Sequence, residues 1–242
     1  MKVIPVIDIL NGIVVHAVRG KRREYQPLQS SLTKSVEPLE VACAFKTLGF
    51  KELYIADLDA ITGGEANLQV IKKIADETSL KLMVDAGVTD IEKAERLLEA
   101  GVSKVVIGTE TLQNKSFVGE AVRVLGSTRV IVSLDLKGDK LLVKLGFAGC
   151  MDPLCLLHEF KKMGVSNVVI LDLTRVGSSE GVNFNFLMGA LKEDMNVYVG
   201  GGVRDIKDVF ELRDLGVCGV LVATALHSNK ISMGELKQAE MI

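Results

Sequence analysis

Residues 196–229 read NVYVGGGVRDIKDVFELRDLGVCGVLVATALHSN, and the fold is decided there. An apolar run, Val197, Tyr198 and Val199, ends in Gly200-Gly201-Gly202, and a second, Val220, Leu221 and Val222, ends in Ala223-Thr224. Both runs have the near-continuous apolar character of parallel strands buried on two faces, and Ile206, Val209, Phe210 and Leu212 between them have helical spacing. Glycine at a strand exit lets backbone N–H groups approach an anion, and the start of the next helix adds partial positive charge. Two such exits side by side make a phosphate cradle, which in a β/α barrel is commonly built by the loops after strands seven and eight.

The stretch has an echo upstream. Val84 to Asn114 superposes without gaps on Val199 to Asn229, a shift of 115 positions that carries 84 to 199. Identities include Val84/Val199, Gly87/Gly202, Asp90/Asp205, Leu97/Leu212, Gly101/Gly216, Thr109/Thr224 and Asn114/Asn229. The same shift takes Pro38-Leu39 to Pro153-Leu154, Gly49 to Gly164 and Asp57-Leu58 to Asp172-Leu173, while Asp8 matches Asp135 at a shift of 127. The chain therefore reads as a duplicated half-barrel, with halves of about 1–126 and 127–242, the first carrying a longer loop around Lys21 to Ser35.

Eight strand-like runs are expected, at Val3–Ile7, Glu52–Ala56, Lys81–Val84, Lys104–Ile107, Arg129–Leu134, Asn167–Leu171, Asn196–Val199 and Gly219–Val222. Strand and helix alternating eight times in 242 residues predicts one α/β domain, a (β/α)8 TIM barrel. A doubly wound sheet would need a glycine fingerprint after the first strand, and Asp8-Ile9-Leu10-Asn11-Gly12 offers none.

Composition narrows the function classes. A 48% hydrophobic content supports a large core, no apolar run approaches the roughly 20 residues of a membrane span, and Met1-Lys2-Val3-Ile4-Pro5 reads as a strand rather than a signal peptide. A cytoplasmic location is the expectation. A net charge of −2, no Trp and no long basic block leave no footprint for nucleic acid. The one basic cluster, Lys21-Arg22-Arg23, is either solvated loop charge or a contact to an anionic substrate. Cys43, Cys150, Cys155 and Cys218 complete no tetrahedral metal set, and His16, His158 and His227 share no ligand spacing, so no metal is expected.

In a β/α barrel the chemistry sits at the carboxyl ends of the strands, where polar residues that terminate apolar runs are the candidates. Asp8 ends the first run and Asp135 the fifth, on opposite sides of the mouth and equivalent in the two halves. Two carboxyls facing each other across a substrate can divide acid and base roles if their environments separate their pKa values. Asp57 and Asp172 follow runs two and six and either bind substrate hydroxyls or belong to a structural network, while Asn67 and Asn183 are expected to cap helices.

These residues also carry a resemblance. Lys2 to Asp8, Arg19-Gly20, Ala56-Asp57-Leu58-Asp59-Ala60 with Gly64 to Asn67, Ser133-Leu134-Asp135 and Val199 to Val203 together resemble the phosphoribosylformimino-aminoimidazole carboxamide ribotide (ProFAR) isomerases of histidine biosynthesis. The likeness spans essentially the whole chain. It implies a half-barrel duplication with one phosphate site per half, and a cofactor-free Amadori rearrangement of an aminoaldose to an aminoketose. Asp8 would be the general base and Asp135 the general acid. Gly201, Gly202, Ala223 and Thr224 would hold one phosphate, Gly87, Gly108 and Thr109 the other, and Arg19, Asp57, Asp172 and Gly177 complete the implied substrate-binding set.

The chain departs from the family pattern at identifiable places. Asp85-Ala86-Gly87 stands where the family has a glycine pair after strand three, and a carboxylate beside a phosphate costs Coulomb energy unless a cation intervenes. Leu171 replaces a threonine, Val176 an acidic residue between Arg175 and Gly177, Gly146-Phe147 a Gly-Trp pair, and Ala223-Thr224 a glycine with a basic residue. Three readings therefore stand: a ProFAR-type isomerase acting on a small sugar phosphate, a paralogue using the same carboxyls on a different, singly phosphorylated substrate, and a non-catalytic ligand-binding barrel.

Overall fold

The computed structural model describes residues 1–147 and 149–242, with the side chain of Asn185 left aside. Eight parallel strands form the barrel: β1 (Lys2–Leu10), β2 (Glu52–Asp57), β3 (Lys81–Asp85), β4 (Lys104–Gly108), β5 (Val130–Lys137), β6 (Asn167–Asp172), β7 (Asn196–Gly200) and β8 (Gly219–Val222). Each pairs with the next, and β8 returns to β1 with Lys2 opposite Gly219 and Pro5 opposite Val222, which closes the sheet. The (β/α)8 architecture read from the sequence is the one present.

One side chain from each strand fills the barrel interior: Ile4, Tyr54, Met83, Val106, Ile131, Val169, Tyr198 and Leu221. The larger core lies outside the sheet, where Ile7, Leu53, Leu82, Val105, Val132 and Val168 meet the helix layer. Inward and outward positions alternate along every strand, which is why the runs are apolar throughout.

The helices start where the sequence supplies donors' partners. The repeat-related Asp90 and Asp205 cap α3 (Ile91–Glu99) and α7 (Ile206–Asp214), accepting from Lys93 N–H at 2.8 Å and Lys207 N–H at 2.9 Å. The repeat-related prolines open α1 (Pro38–Leu48) and α5 (Pro153–Lys162), where a missing N–H costs nothing. The remaining outer helices are α2 (Leu68–Thr78), α4 (Ser116–Leu125), α6 (Phe184–Ala190) and α8 (Met233–Gln238).

Two strands run further than expected. β1 continues past Asp8 to Leu10 and folds through Asn11-Gly12 into a hairpin with Ile13–His16, placing Asp8 opposite Val15. β5 likewise passes Asp135 and pairs with Lys140–Leu141. Both carboxyls thus belong to strands rather than to loops, held by ladder hydrogen bonds on rigid backbone. Among the described residues no helix is long and apolar enough to cross a membrane.

Candidate active site

A cavity of about 930 Å³, its solvent mouth included, opens at the carboxyl ends of the strands, a size suited to a sugar phosphate. Asp8 and Asp135 both line it, as the duplication predicts, and Asp85, Arg22, Tyr25 and Glu110 join them. Val6, Leu171, Leu173, Val176 and Leu221 supply its apolar walls.

Burial is the dominant influence on the three aspartates. It pushes the Asp8 carboxyl up to about 7, with Arg22 pulling the other way, and no donor among the described residues hydrogen-bonds the Asp8 side chain. Asp135 rises to about 6, less because Glu110 N–H (3.0 Å) and Ser133 Oγ (2.7 Å) donate to its oxygens and favour the ionised form. Asp85 rises to about 8 through burial and then through the charge of Asp135. Gly108 makes the juxtaposition possible, since a Cβ there would lie 3.0 Å from Asp85 Oδ2 and 3.0 Å from Asp135 Oδ2.

The basic cluster divides. Arg22 is drawn into the cavity and donates to Glu110 Oε2 at 2.6 Å, whereas Lys21 pairs with Glu24 at the surface. The Tyr25 phenol, pushed up to about 12 by burial, completes this side. Tyr25 and Glu110 carried no sequence signal of their own. Glu110 was visible only as the departure from Ala225 at the equivalent half-repeat position.

The residues expected for the second-half cradle come together at the cavity. Gly201, Gly202, Ala223, Thr224 and Gly177 line the cavity. The N–H groups of Gly202, Thr224 and Ala225 find no carbonyl partner among the described residues. A Cβ on Gly202 would stand 2.2 Å from the Gly181 carbonyl oxygen, so the crossing of the two loops tolerates only glycine. Thr224 Oγ1 is 3.0 Å from His16 Nε2, and the buried His227, its imidazole lowered to about 4 mainly by desolvation, meets Ser30 Oγ at 2.9 Å and anchors the long loop behind the cradle.

Other expected residues lie elsewhere. Gly87, Gly108 and Thr109 do not line the cavity. Asp57 is fully buried and is consumed by Asn67 N–H at 2.7 Å and Asn67 Nδ2 at 2.9 Å. Asn67 therefore reaches back to Asp57 and Asp59 and makes no side-chain cap to α2, contrary to the capping expectation. Asp172 accepts from Thr174 Oγ1 at 2.6 Å and sits 3.4 Å from Arg175, while Asn183 donates to Asp139 and Asp172. These contacts are those of the structural network, one of the two alternatives left open for Asp57 and Asp172. Arg19 pairs with Glu180 at the surface, and its N–H donates to the Val176 carbonyl at 2.8 Å, tying two rim loops together. Phe147 packs against the outer core rather than in the cavity.

With that geometry in place, comparison with known proteins fixes the lineage. The profile of the family described as "Histidine biosynthesis protein" matches residues 2–232. The chain belongs to this family. Within the histidine biosynthesis family, an uncharacterised protein of Methanocaldococcus jannaschii is 36% identical over 98% of this chain and 97% of its own length. Proteins named 1-(5-phosphoribosyl)-5-((5-phosphoribosylamino)methylideneamino) imidazole-4-carboxamide isomerase, the ProFAR isomerase, are also similar. That of Prochlorococcus marinus is 34% identical over 97% of this chain and 92% of its own, and that of Bacillus cereus 32% identical over 98% of each. Proteins named as isomerases of the histidine-biosynthesis type are thus among the relatives of this barrel.

Proposed function

We propose that the chain is a cofactor-free aldose–ketose isomerase that carries out an Amadori rearrangement on an N-linked phosphoribosylamine, with the ProFAR-type substrate as its template. The observation that carries this reading is the presence, in one cavity, of two repeat-related carboxyls held near neutrality opposite a cradle of free N–H donors. Opening the sugar ring needs a proton delivered to the ring oxygen, and migration of the carbonyl needs a base to take the proton from C2. Asp135 is assigned the first task and Asp8 the second. Their values of about 6 and about 7 differ by one unit, about 1.4 kcal/mol, so the state with Asp135 protonated and Asp8 ionised stays accessible near neutral pH. Each role contributes about 10²–10⁴-fold in rate.

A second reading, the same chemistry on a singly phosphorylated substrate, is favoured by the state of the first-half cradle and is taken up below. The test common to both is isomerisation of ProFAR and of its two counterparts lacking one or other phosphate, followed by absorbance. Turnover of any of the three that falls at least about 10²-fold in Asp8→Asn and in Asp135→Asn is the expected result. No turnover of all three, or turnover indifferent to both substitutions, overturns the isomerase reading.

A further inference from the structure

The half-repeat allows the two cradles to be compared donor by donor. Gly202, Thr224 and Ala225 of the second half correspond to Gly87, Thr109 and Glu110 of the first. The three second-half N–H groups have no carbonyl partner among the described residues. All three first-half N–H groups are taken. Gly87 N–H donates to Asp85 Oδ1 at 3.0 Å, Glu110 N–H to Asp135 Oδ2 at 3.0 Å, and Thr109 N–H to the Ser133 carbonyl at 2.9 Å.

Two of the three acceptors are carboxyl oxygens, so the protein's own side chains stand where a ligand's phosphate oxygens would bind. The exchange rests on matched residue choices. Asp85 replaces the Gly200 of the other half, and Gly108, lacking a Cβ, leaves the room into which both Asp85 Oδ2 and Asp135 Oδ2 project. Glu110, in place of Ala225, engages the Arg22 guanidinium, accepting from it at 2.6 Å. A phosphate entering here would break two backbone hydrogen bonds to carboxyl oxygens and meet three carboxyl groups, with the Arg22 guanidinium already paired.

We propose that Asp85 and Asp135 close the first-half cradle from within, making Asp85 a specificity residue. The substrate then carries one phosphate, seated in the second half, and presents hydroxyl or amine donors rather than a phosphate to the first. The substrate class rests on the isomerase reading, whereas the number of phosphate sites does not. Asp85 lies 8% exposed on the cavity wall, and no donor among the described residues reaches its Oδ2, so that oxygen is available to such a ligand.

Inorganic phosphate titrated into the protein by calorimetry separates the possibilities without requiring turnover. The wild-type chain is expected to bind one phosphate, and Asp85→Gly, which restores the second-half residue type and frees Gly87 N–H, is expected to bind two. In the substrate series, wild type is expected to bind ProFAR no more tightly than its better monophosphate counterpart, and Asp85→Gly to shift the preference toward ProFAR at least tenfold. A wild-type stoichiometry of two or of none, or a wild-type preference for ProFAR above tenfold, overturns the proposal. If Asp85→Gly does not fold, the wild-type measurements alone decide. A failure here with ProFAR turnover intact would leave the isomerase reading standing.

Discussion

Asp85 is the residue whose chemistry is most distinctive. Its folded-state value of about 8 lies above the unfolded carboxyl value of 3.8, so the folded chain binds the extra proton. The stability associated with this group is fully present below about pH 4 and is lost as pH rises through about 8, because desolvation penalises the ionised form. Asp8 and Asp135, raised to about 7 and about 6, act in the same direction. Asp85→Asn keeps an oxygen for Gly87 N–H and removes the titration. Its melting temperature is expected to exceed that of wild type at pH 8–9 and to converge with it only below about pH 4, each recovered kcal/mol being worth about 2–4 °C in a chain of this size. Melting curves from about pH 3.5 to 9 check this, and a variant less stable than wild type at pH 9 would contradict it. Asp8 and Asp135 were legible in the sequence because duplication marked them twice. Arg22 was legible only as one of two open readings of its basic cluster, and Tyr25 was hidden because whether a long loop folds back into a cavity leaves no trace in periodicity. Asp57 and Asp172, which shared the strand-end signature, turned out to spend their lone pairs on Asn67 and Thr174.

At the level of elements, the loops leaving β6 and β7 cross, with Gly181 N–H donating to the Gly202 carbonyl at 2.9 Å, and the proposed cradle lies at that crossing. Gly202 has φ +91° and its absent Cβ would press on the Gly181 carbonyl oxygen at 2.2 Å. Gly216 has nearly the same φ, +90°, with nothing within 4 Å of the Cβ position. The pair separates backbone strain from collision. Gly216→Ala is expected to cost about 1–3 kcal/mol and leave phosphate binding unchanged. Gly202→Ala must also displace a backbone carbonyl, so it should destabilise more and lower phosphate affinity at least tenfold. Denaturant melts and phosphate calorimetry on the two variants test this, and equal behaviour would show that the crossing is not what shapes the cradle. The glycine run was legible in the sequence, and its residues line the cavity. The two strand extensions past Asp8 and Asp135 were not foreseen, since the hairpins that prolong β1 and β5 pair residues whose apolar pattern already reads as ordinary loop and strand.

For the whole molecule, the eight-strand closure makes the two halves mutually dependent. Strands β1 to β4 and β5 to β8 meet at only two seams, β4 with β5 and β8 with β1. A fragment 1–126 would expose the free edges of β1 and β4 together with half of the interior ring, Ile4, Tyr54, Met83 and Val106. A fragment 127–242 would expose β5, β8 and Ile131, Val169, Tyr198 and Leu221. Open edges and uncovered apolar faces drive association. We propose that the unit boundary falls in the connection at Gly126–Arg129, where the chain passes from α4 to β5 at the surface. Each fragment produced alone is expected to self-associate, and co-production is expected to yield a one-to-one complex with a single cooperative melt and a phosphate stoichiometry of one. Sedimentation of the separate and combined fragments makes the measurement. A fragment that remains a monomer and melts cooperatively by itself would mean that one half holds its core without the other, and that the seams add geometry rather than stability.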